Sequence, residues 1–341
     1  MQFKWAGPNG DPWSTIADWD FYDGTPAGEV PGMDDAVFLV AGYGPLITGD
    51  GTANVLTAAG GAHTLTGTIT LVPDLFLDPP DLSVGSGATL TIAGTVNDTP
   101  TDSEGFVYVN GGQLILFGAS ADAPALLTSN YGVIGQTNRS SVPSEVDISL
   151  GTWNVAEYNT VTDTGDLAVG ANGPGTLNIR YFGTVDARTL EVNVGSFVGG
   201  NSVLSIGPSG TLAVTGALTI GQASGGVGTA TLIDDGALTA GSIVFGANAA
   251  GVIKGPLYTG SLTVDAGGLV GGAAYFFGAL YLKRSLVVTA LVPAGVVTVT
   301  STVPAAPAGE IAVRVVGELT ITSMPAAPAT IAPGSTVRVF V

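Results

Sequence analysis

The middle of this chain matches itself at a fixed interval, and that repetition limits the possible folds more than any other property of the sequence. Short apolar strands end in glycine at Gly170, Gly195, Gly221 and Gly246, in the strings LAVG, VNVG, LTIG and IVFG, giving steps of 25, 26 and 25 residues. A second landmark lies between them, where Gly175–Ile179 (GTLNI) lines up with Ser202–Ile206 (SVLSI) and Gly228–Leu232 (GTATL). A third follows in Gly183-Thr-Val185, Gly210-Thr-Leu212 and Gly236-Ala-Leu238.

Each unit of ~25 residues therefore holds three short strands in which apolar and small polar residues alternate, separated by Gly, Asn, Ser or Asp turns. So short a strand cannot bury its apolar face alone. Units must stack, each strand pairing in parallel with its counterpart one coil away, at ~4.8 Å along the axis. The pattern predicts an all-β chain, a parallel β-solenoid (β-helix) with a small C-terminal β module. Its inward ladders are expected at Leu177, Leu204 and Ala230, and at Val194, Ile220 and Phe245.

Looser forms of the same pattern appear earlier, in Thr64–Leu71, Ala88–Ile92 and Val107–Leu116. The expected organisation is a Trp-, Gly- and Asp-rich N-terminal cap over residues 1–36, a solenoid over 37–284 and a Val-, Ala- and Pro-rich module over 285–341. Pro- and Asp-rich segments at 72–80 and 97–104 read as loops leaving the coils, and an insertion containing Lys254 to Tyr258 reads as a bulky side loop. In the last module Pro304-Ala-Ala-Pro307 recurs as Pro325-Ala-Ala-Pro328, and each copy follows an alternating strand. Proline cannot donate to a ladder, so it marks strand ends and edges there. Between 285 and 341 the charges are Glu310, Arg314, Glu318 and Arg338, which makes the module apolar enough to act as an oligomerisation element or an edge-protecting lid.

Fifty-two glycines and 20 prolines among 341 residues would suit a disordered chain, but the sustained apolar alternation argues for a folded one. Charge is sparse and one-sided: 27 acidic residues face nine basic ones, a formal net charge of −18. Between Lys4 and Arg139 there is no Lys or Arg at all, while 15 carboxylates occur from Asp11 to Asp122. Nucleic acid and anionic membranes are therefore unsuitable partners. No cysteine is present, which removes disulfides, thiolate metal sites and cysteine nucleophiles. The first residues have no apolar run like that of an export signal, and no later stretch approaches the ~20 apolar residues of a spanning helix, so neither export by this terminus nor membrane insertion is expected.

Few residues suggest chemistry. His63 is the single histidine and is expected at a solvent-facing corner, too isolated for a metal site or a catalytic triad. Glycan-cleaving enzymes need two separated carboxyls, one protonated and one ionised. Asp234 and Asp235 are adjacent and would point to opposite faces of a strand, so a turn role is expected, level with Tyr181-Phe182 and Pro208-Ser209. Asp163 and Asp166 flank Gly165 and could meet a cation with Glu157, yet no calcium-loop motif accompanies them. Asp34 and Asp35 follow Pro31-Gly32 as turn residues of the first coil. Tyr275, Phe276, Phe277 and Tyr281 form an aromatic group expected in core packing or a subunit contact. No catalytic, cofactor-binding or metal-binding residue is assigned, and no enzymatic activity is expected.

Units such as Leu167–Ile179 (LAVGANGPGTLNI) and Leu218–Ala230 (LTIGQASGGVGTA) resemble the passenger repeats of bacterial autotransporter adhesins and related exported β-helices. The start, with Trp5, Trp13 and Trp19 among Gly and Asp and then Val30–Phe38 (VPGMDDAVF), is similar to the segment that leads into the first coils of that family. An autotransporter's membrane barrel and export signal are both missing, whereas bacteriophage spikes, fibres and head-decoration proteins build β-helices without either. The resemblance implies a non-catalytic structural or surface-display protein of a virion. A secreted bacterial adhesin or surface-layer protein is the alternative, and a polysaccharide depolymerase the third. It further implies a homo-oligomer, taken as a trimer, with virion or cell-surface proteins and host surface glycan as partners.

Overall fold

The computed structural model describes residues 1–43, 45–72, 81–98, 105–135, 142–155, 165–193, 200–221, 228–246, 248–264, 269–282, 298–300, 312–314 and 336–339, with side chains as far as Thr263. These residues are nearly all β, arranged as long parallel sheets, and the one helical turn among them is Ile16–Asp18. No helix among the described residues is long and apolar enough to cross a membrane.

The strands fall into three series, because each pairs in parallel with the strand three further along the chain. Gln113–Phe117 pairs with Ser144–Ser149, which pairs with Gly175–Arg180. Ala125–Ser129 pairs with Gly151–Val155, which pairs with Thr184–Ala187. Tyr131–Ile134 pairs with Asp166–Val169, which pairs with Thr189–Val192. From Thr211 onward the second and third series merge into single long strands, with a register shift between Val214 and Ala217 of Thr211–Ile220.

Alternation decides which side chains are buried. In Ala88–Ile92 the residues Ala88, Leu90 and Ile92 are buried while Thr89 and Thr91 are half-buried on the other face. Register then stacks like on like: Leu90 beside Leu114, Leu114 beside Val146, Val146 beside Leu177 and Leu177 beside Leu204. Each such fully buried aliphatic side chain contributes about 1.5–3 kcal/mol relative to exposure.

The expected ladders hold in part. Leu177 does lie beside Leu204, and Ile220 beside Phe245. Leu204, however, is paired with Leu232, while Ala230 sits beside Ser202 and Ala249. Ile220 is paired on its other side with Val192, two positions before the expected Val194, which lies outside the described residues along with Gly195. The corner that repetition assigned to Gly195 is Asn193, with φ 55°, matching Gly170 at 78° and Gly221 at 71°. Asparagine tolerates the left-handed region better than other side chains, so the corner survives without glycine.

The bulky side loop expected around Lys254 to Tyr258 is absent. Pro256–Val264 is a strand of the ladder, paired with Ala237–Phe245 such that Leu238 meets Leu257, a step of 19. Lys254 and Gly255 make only the tight corner before it. The step contracts because the chain passes from one strand to the next with no surplus residues. The loops expected within 72–80 and 97–104 lie largely outside the described residues, although Asn97 ends a strand.

At the amino end Gln2–Trp5 pairs in parallel with Ala36–Leu39 and antiparallel with Trp19–Phe21. Trp5, Trp13 and Trp19 are buried together, with ring centroids of Trp19 at 5.0 Å from Trp5 and 4.8 Å from Trp13, both edge-on. The Trp19 indole N–H donates to the Trp13 carbonyl at 2.8 Å. Asp35 accepts the Gly32 amide through its carboxylate at 2.9 Å, fixing the turn that precedes Ala36–Leu39. Beyond 285, the described residues are Thr298–Thr300 paired antiparallel with Ala312–Arg314, and Thr336–Val339 paired antiparallel with residues 272–275. Both Pro-Ala-Ala-Pro segments lie outside the described residues.

Candidate functional site

The outward side of the first strand series carries the densest polar network. On Ser144–Ser149, residues Glu145 and Asp147 are two apart and so project from the same face. Gln113 on one neighbouring strand donates its amide to Glu145 Oε2 and Asp147 Oδ2, at 3.2 Å each. Asn178 on the other donates to Glu145 Oε1 at 3.1 Å and Asp147 Oδ1 at 3.0 Å, and the Arg180 guanidinium also meets Asp147 Oδ1. All four carboxylate oxygens thus accept from N–H donors. Five such contacts tie both side chains to the strands on either side.

Exposed aromatic rings border this network. Phe117, Ser149 and Arg180 stack in register at the ends of the three strands, and the chain then turns through Tyr181 and Phe182. The turn closes by Gly183 N–H donating to the Arg180 carbonyl at 2.9 Å, with φ of 49° at Tyr181 and 64° at Phe182. Two positive angles in succession make a tight turn that normally takes Asn-Gly, and each costs a larger side chain about 1 kcal/mol or more. Neighbouring turns grip it, since Leu150 N–H donates to the Tyr181 carbonyl and Phe182 N–H to the Ser209 carbonyl. Both rings nevertheless stand in solvent, at 66% and 63% exposure, with Phe117 at 52%. The result is a rigidly held, strained aromatic edge beside a fully hydrogen-bonded polar ladder.

Several residues singled out by sequence occupy other places. His63 is buried, contrary to the expected solvent-facing corner: it lies inward on Gly61–Leu65, in the rung that Leu90 fills next door. Its ring Nε2 is 3.0 Å from the Gly60 carbonyl, and burial holds the imidazole below its ordinary pKa. Asp234 is likewise no turn residue. It ends the strand Gly228–Asp234 and points inward, fully buried, beside Ile206 and Ile253. Its Oδ1 accepts the Gly236 amide at 3.1 Å, Oδ2 has no partner among the described residues, and burial raises its pKa to about 7. Asp235 points away, 3.3 Å from Lys254 Nζ. The turn role expected of both residues therefore does not hold for Asp234, which is level with Ile206 instead of Pro208-Ser209.

Asp166 pairs with Arg188 at 2.9 Å, while Asp163 and Glu157 lie outside the described residues. Side chains of Tyr275, Phe276, Phe277 and Tyr281 also lie outside them. A different aromatic group occurs on the third series, where Phe106 stands 5.6 Å from Tyr131 and 6.1 Å from Tyr108. Burial, then Tyr108, Asp166 and Glu191, push the Tyr131 phenol above its ordinary range. Among the described residues no three His, Asp or Glu side chains gather closely enough to hold a metal ion.

Sequence reasoning missed the Gln113, Glu145, Asp147 and Asn178 network, because its members come from three strands and each reads alone as an ordinary outward polar residue. The clue available was the pair Glu145 and Asp147 at strand spacing, flanked by amides at one repeat to either side. Compared with protein-family models, with curated proteins and with solved structures, the chain matches none.

Proposed function

We propose that the chain is a parallel β-solenoid that serves as a non-catalytic structural or surface-display protein of a bacteriophage virion, in head decoration, fibre or spike. The observation that supports the non-catalytic reading is the use made of the carboxylate pair: Glu145 and Asp147 accept from amide and guanidinium donors and so brace three neighbouring strands. The solenoid reading is supported by three parallel strand series in which every inward rung repeats through the stack. Such a scaffold presents fixed surfaces, and the Phe117, Tyr181 and Phe182 edge is the surface that a virion protein, cell-surface protein or glycan would meet. Placement on a virion rests on the likeness of the repeats to exported β-helices, a fold that bacteriophage spikes and fibres share; self-association through 285–341 rests on the apolar composition of that module, and the trimer on the bacteriophage likeness.

Mass spectrometry and imaging of the natural source test the placement, with the chain expected in particles. Recovery from cell envelopes and not from particles would replace it with the secreted adhesin, which the exposed rings favour equally. Light scattering of the full chain is expected to give three times the chain mass, and a monomer at micromolar concentration would remove the oligomer. Incubation with host glycans is expected to release no oligosaccharide; release that Glu145→Gln or Asp147→Asn abolishes would make the chain a depolymerase.

A further inference from the structure

Asp81 and Asp98 are buried in the corner between the second and third strand series, at 2% and 0% exposure. Asp81 immediately precedes Leu82–Val84, and Asp98 immediately follows Thr95–Asn97. Their backbones are tied into adjoining strands: Leu56 N–H donates to the Asp81 carbonyl at 2.7 Å, Asp81 N–H to the Phe106 carbonyl at 3.0 Å, and Asp98 N–H to the Thr128 carbonyl at 2.9 Å. Asp81 Oδ2 accepts the Phe106 amide at 2.8 Å. Neither oxygen of the Asp98 carboxyl has a donor among the described residues. Gly105 closes the far side so tightly that a Cβ there would lie 2.9 Å from Asp98 Oδ1.

Two carboxylates cannot both stay charged in such a place. Like charges repel strongly where water is excluded, and an isolated buried carboxylate costs several kcal/mol or more. Among the described residues no cation is at hand: the strands around the corner, Val55–Ala58, Thr68–Leu71, Leu82–Val84, Thr95–Asn97, Phe106–Val109 and Ala125–Ser129, contain no Lys, Arg or His. Their one titratable side chain is Tyr108, which faces outward with Phe106. The whole stretch from Lys4 to Arg139 is without Lys or Arg.

We propose that Asp81 and Asp98 hold at least one proton between them at neutral pH and form a clasp that fastens the strand after Asp81 to the strand after Gly105, closing in acid and opening in alkali. Asp98 keeps its proton after Asp81 has ionised and donates it to the Asp81 carboxyl, whose other oxygen accepts the Phe106 amide. The electrostatics agree: burial lifts the Asp81 pKa to about 7, and burial, then the Asp81 charge, lifts Asp98 well above the ordinary carboxyl range. Both groups bind protons more tightly folded than unfolded, where a carboxyl titrates near pH 4. Their contribution is therefore whole below about pH 4 and is lost as pH rises through the folded values, about 7 for Asp81. Because the pair titrates jointly, the loss spreads over two steps.

Hydrogen exchange on the full-length protein, corrected for intrinsic rate, reads the clasp locally. Protection of the Phe106 and Leu56 amides is expected to fall at least tenfold between pH 6 and 9, and Asp98→Asn, which donates a hydrogen bond without titrating, is expected to abolish the fall. Wild-type protection that is independent of pH, or an unchanged fall in Asp98→Asn, would overturn the proposal. So would calcium ions at millimolar concentration restoring protection at pH 9, since the pair would then be a cation site. If the variant does not fold, carboxyl carbon NMR of the wild type decides: a protonated aspartate at pH 7 that shifts together with a second is expected, and two ionised carboxylates would end the idea.

Discussion

Asp234 is the register partner of Ile206 and of Ile253, so a carboxyl occupies a rung that isoleucine fills on either side. The same inward series places His63 beside Leu90. Single polar residues are thus threaded into otherwise aliphatic ladders, and each costs stability in a manner set by its protonation.

For Asp234 the sign is fixed. Burial raises its pKa to about 7, so the folded state holds the proton where the unfolded state has released it, and stability falls as pH rises from about 4 to about 7. Asp234→Asn keeps an acceptor for the Gly236 amide and removes the titration. The variant is expected to gain about 2 kcal/mol over wild type at pH 8 and to show no gain at pH 4, read from thermal unfolding at both values. Equal effects at the two pH values would show that the carboxyl is not buried.

Ile220 lies between Val192 and Phe245 with no polar group beside it in the rung. Ile220→Asp places a charge there without the amide that serves Asp234, and a loss of about 4 kcal/mol or more is expected in denaturant unfolding. A loss below about 1 kcal/mol would place Ile220 on the outer face.

The strained turn gives a prediction of opposite direction. Replacing Tyr181 and Phe182 together by Asn and Gly suits both positive angles, and the gain in stability is expected to be about 1–2 kcal/mol. If the rings are the contact surface, the stabilised variant also loses attachment to its partner in a pull-down from the natural source. Stability gained with attachment intact would move the contact elsewhere.

Which face of each strand turns inward was legible from alternation, because a strand's side chains have a period of two. That same period leaves register ambiguous by two residues. Ala230 and Leu232 share a face, so a reading anchored on glycine could slip between them without violating any hydrophobic pattern. Asn193 caused one slip, since it does glycine's work at a corner without glycine's signature. Around the candidate site the aromatic turn was readable at Tyr181 and Phe182. The carboxylate network and the Asp81 and Asp98 pair were not, because register between distant strands brings Gln113 to Glu145 and the corner between two strand series brings Asp98 to Asp81.

The steps between paired rungs also bear on how the chain can change. Leu46 meets Thr64 after 18 residues and Leu238 meets Leu257 after 19, yet Tyr131 meets Asp166 only after 35. Each step advances the sheet by one strand spacing, ~4.8 Å, however many residues it takes. Length and pitch are therefore uncoupled: additions at the corners leave every rung where it was, while removal of one residue inside a strand inverts that strand's faces. A lineage of such chains can diversify its corners freely and must conserve parity within its strands, and a grafted peptide belongs between rungs such as Ile134 and Ser144, never within them.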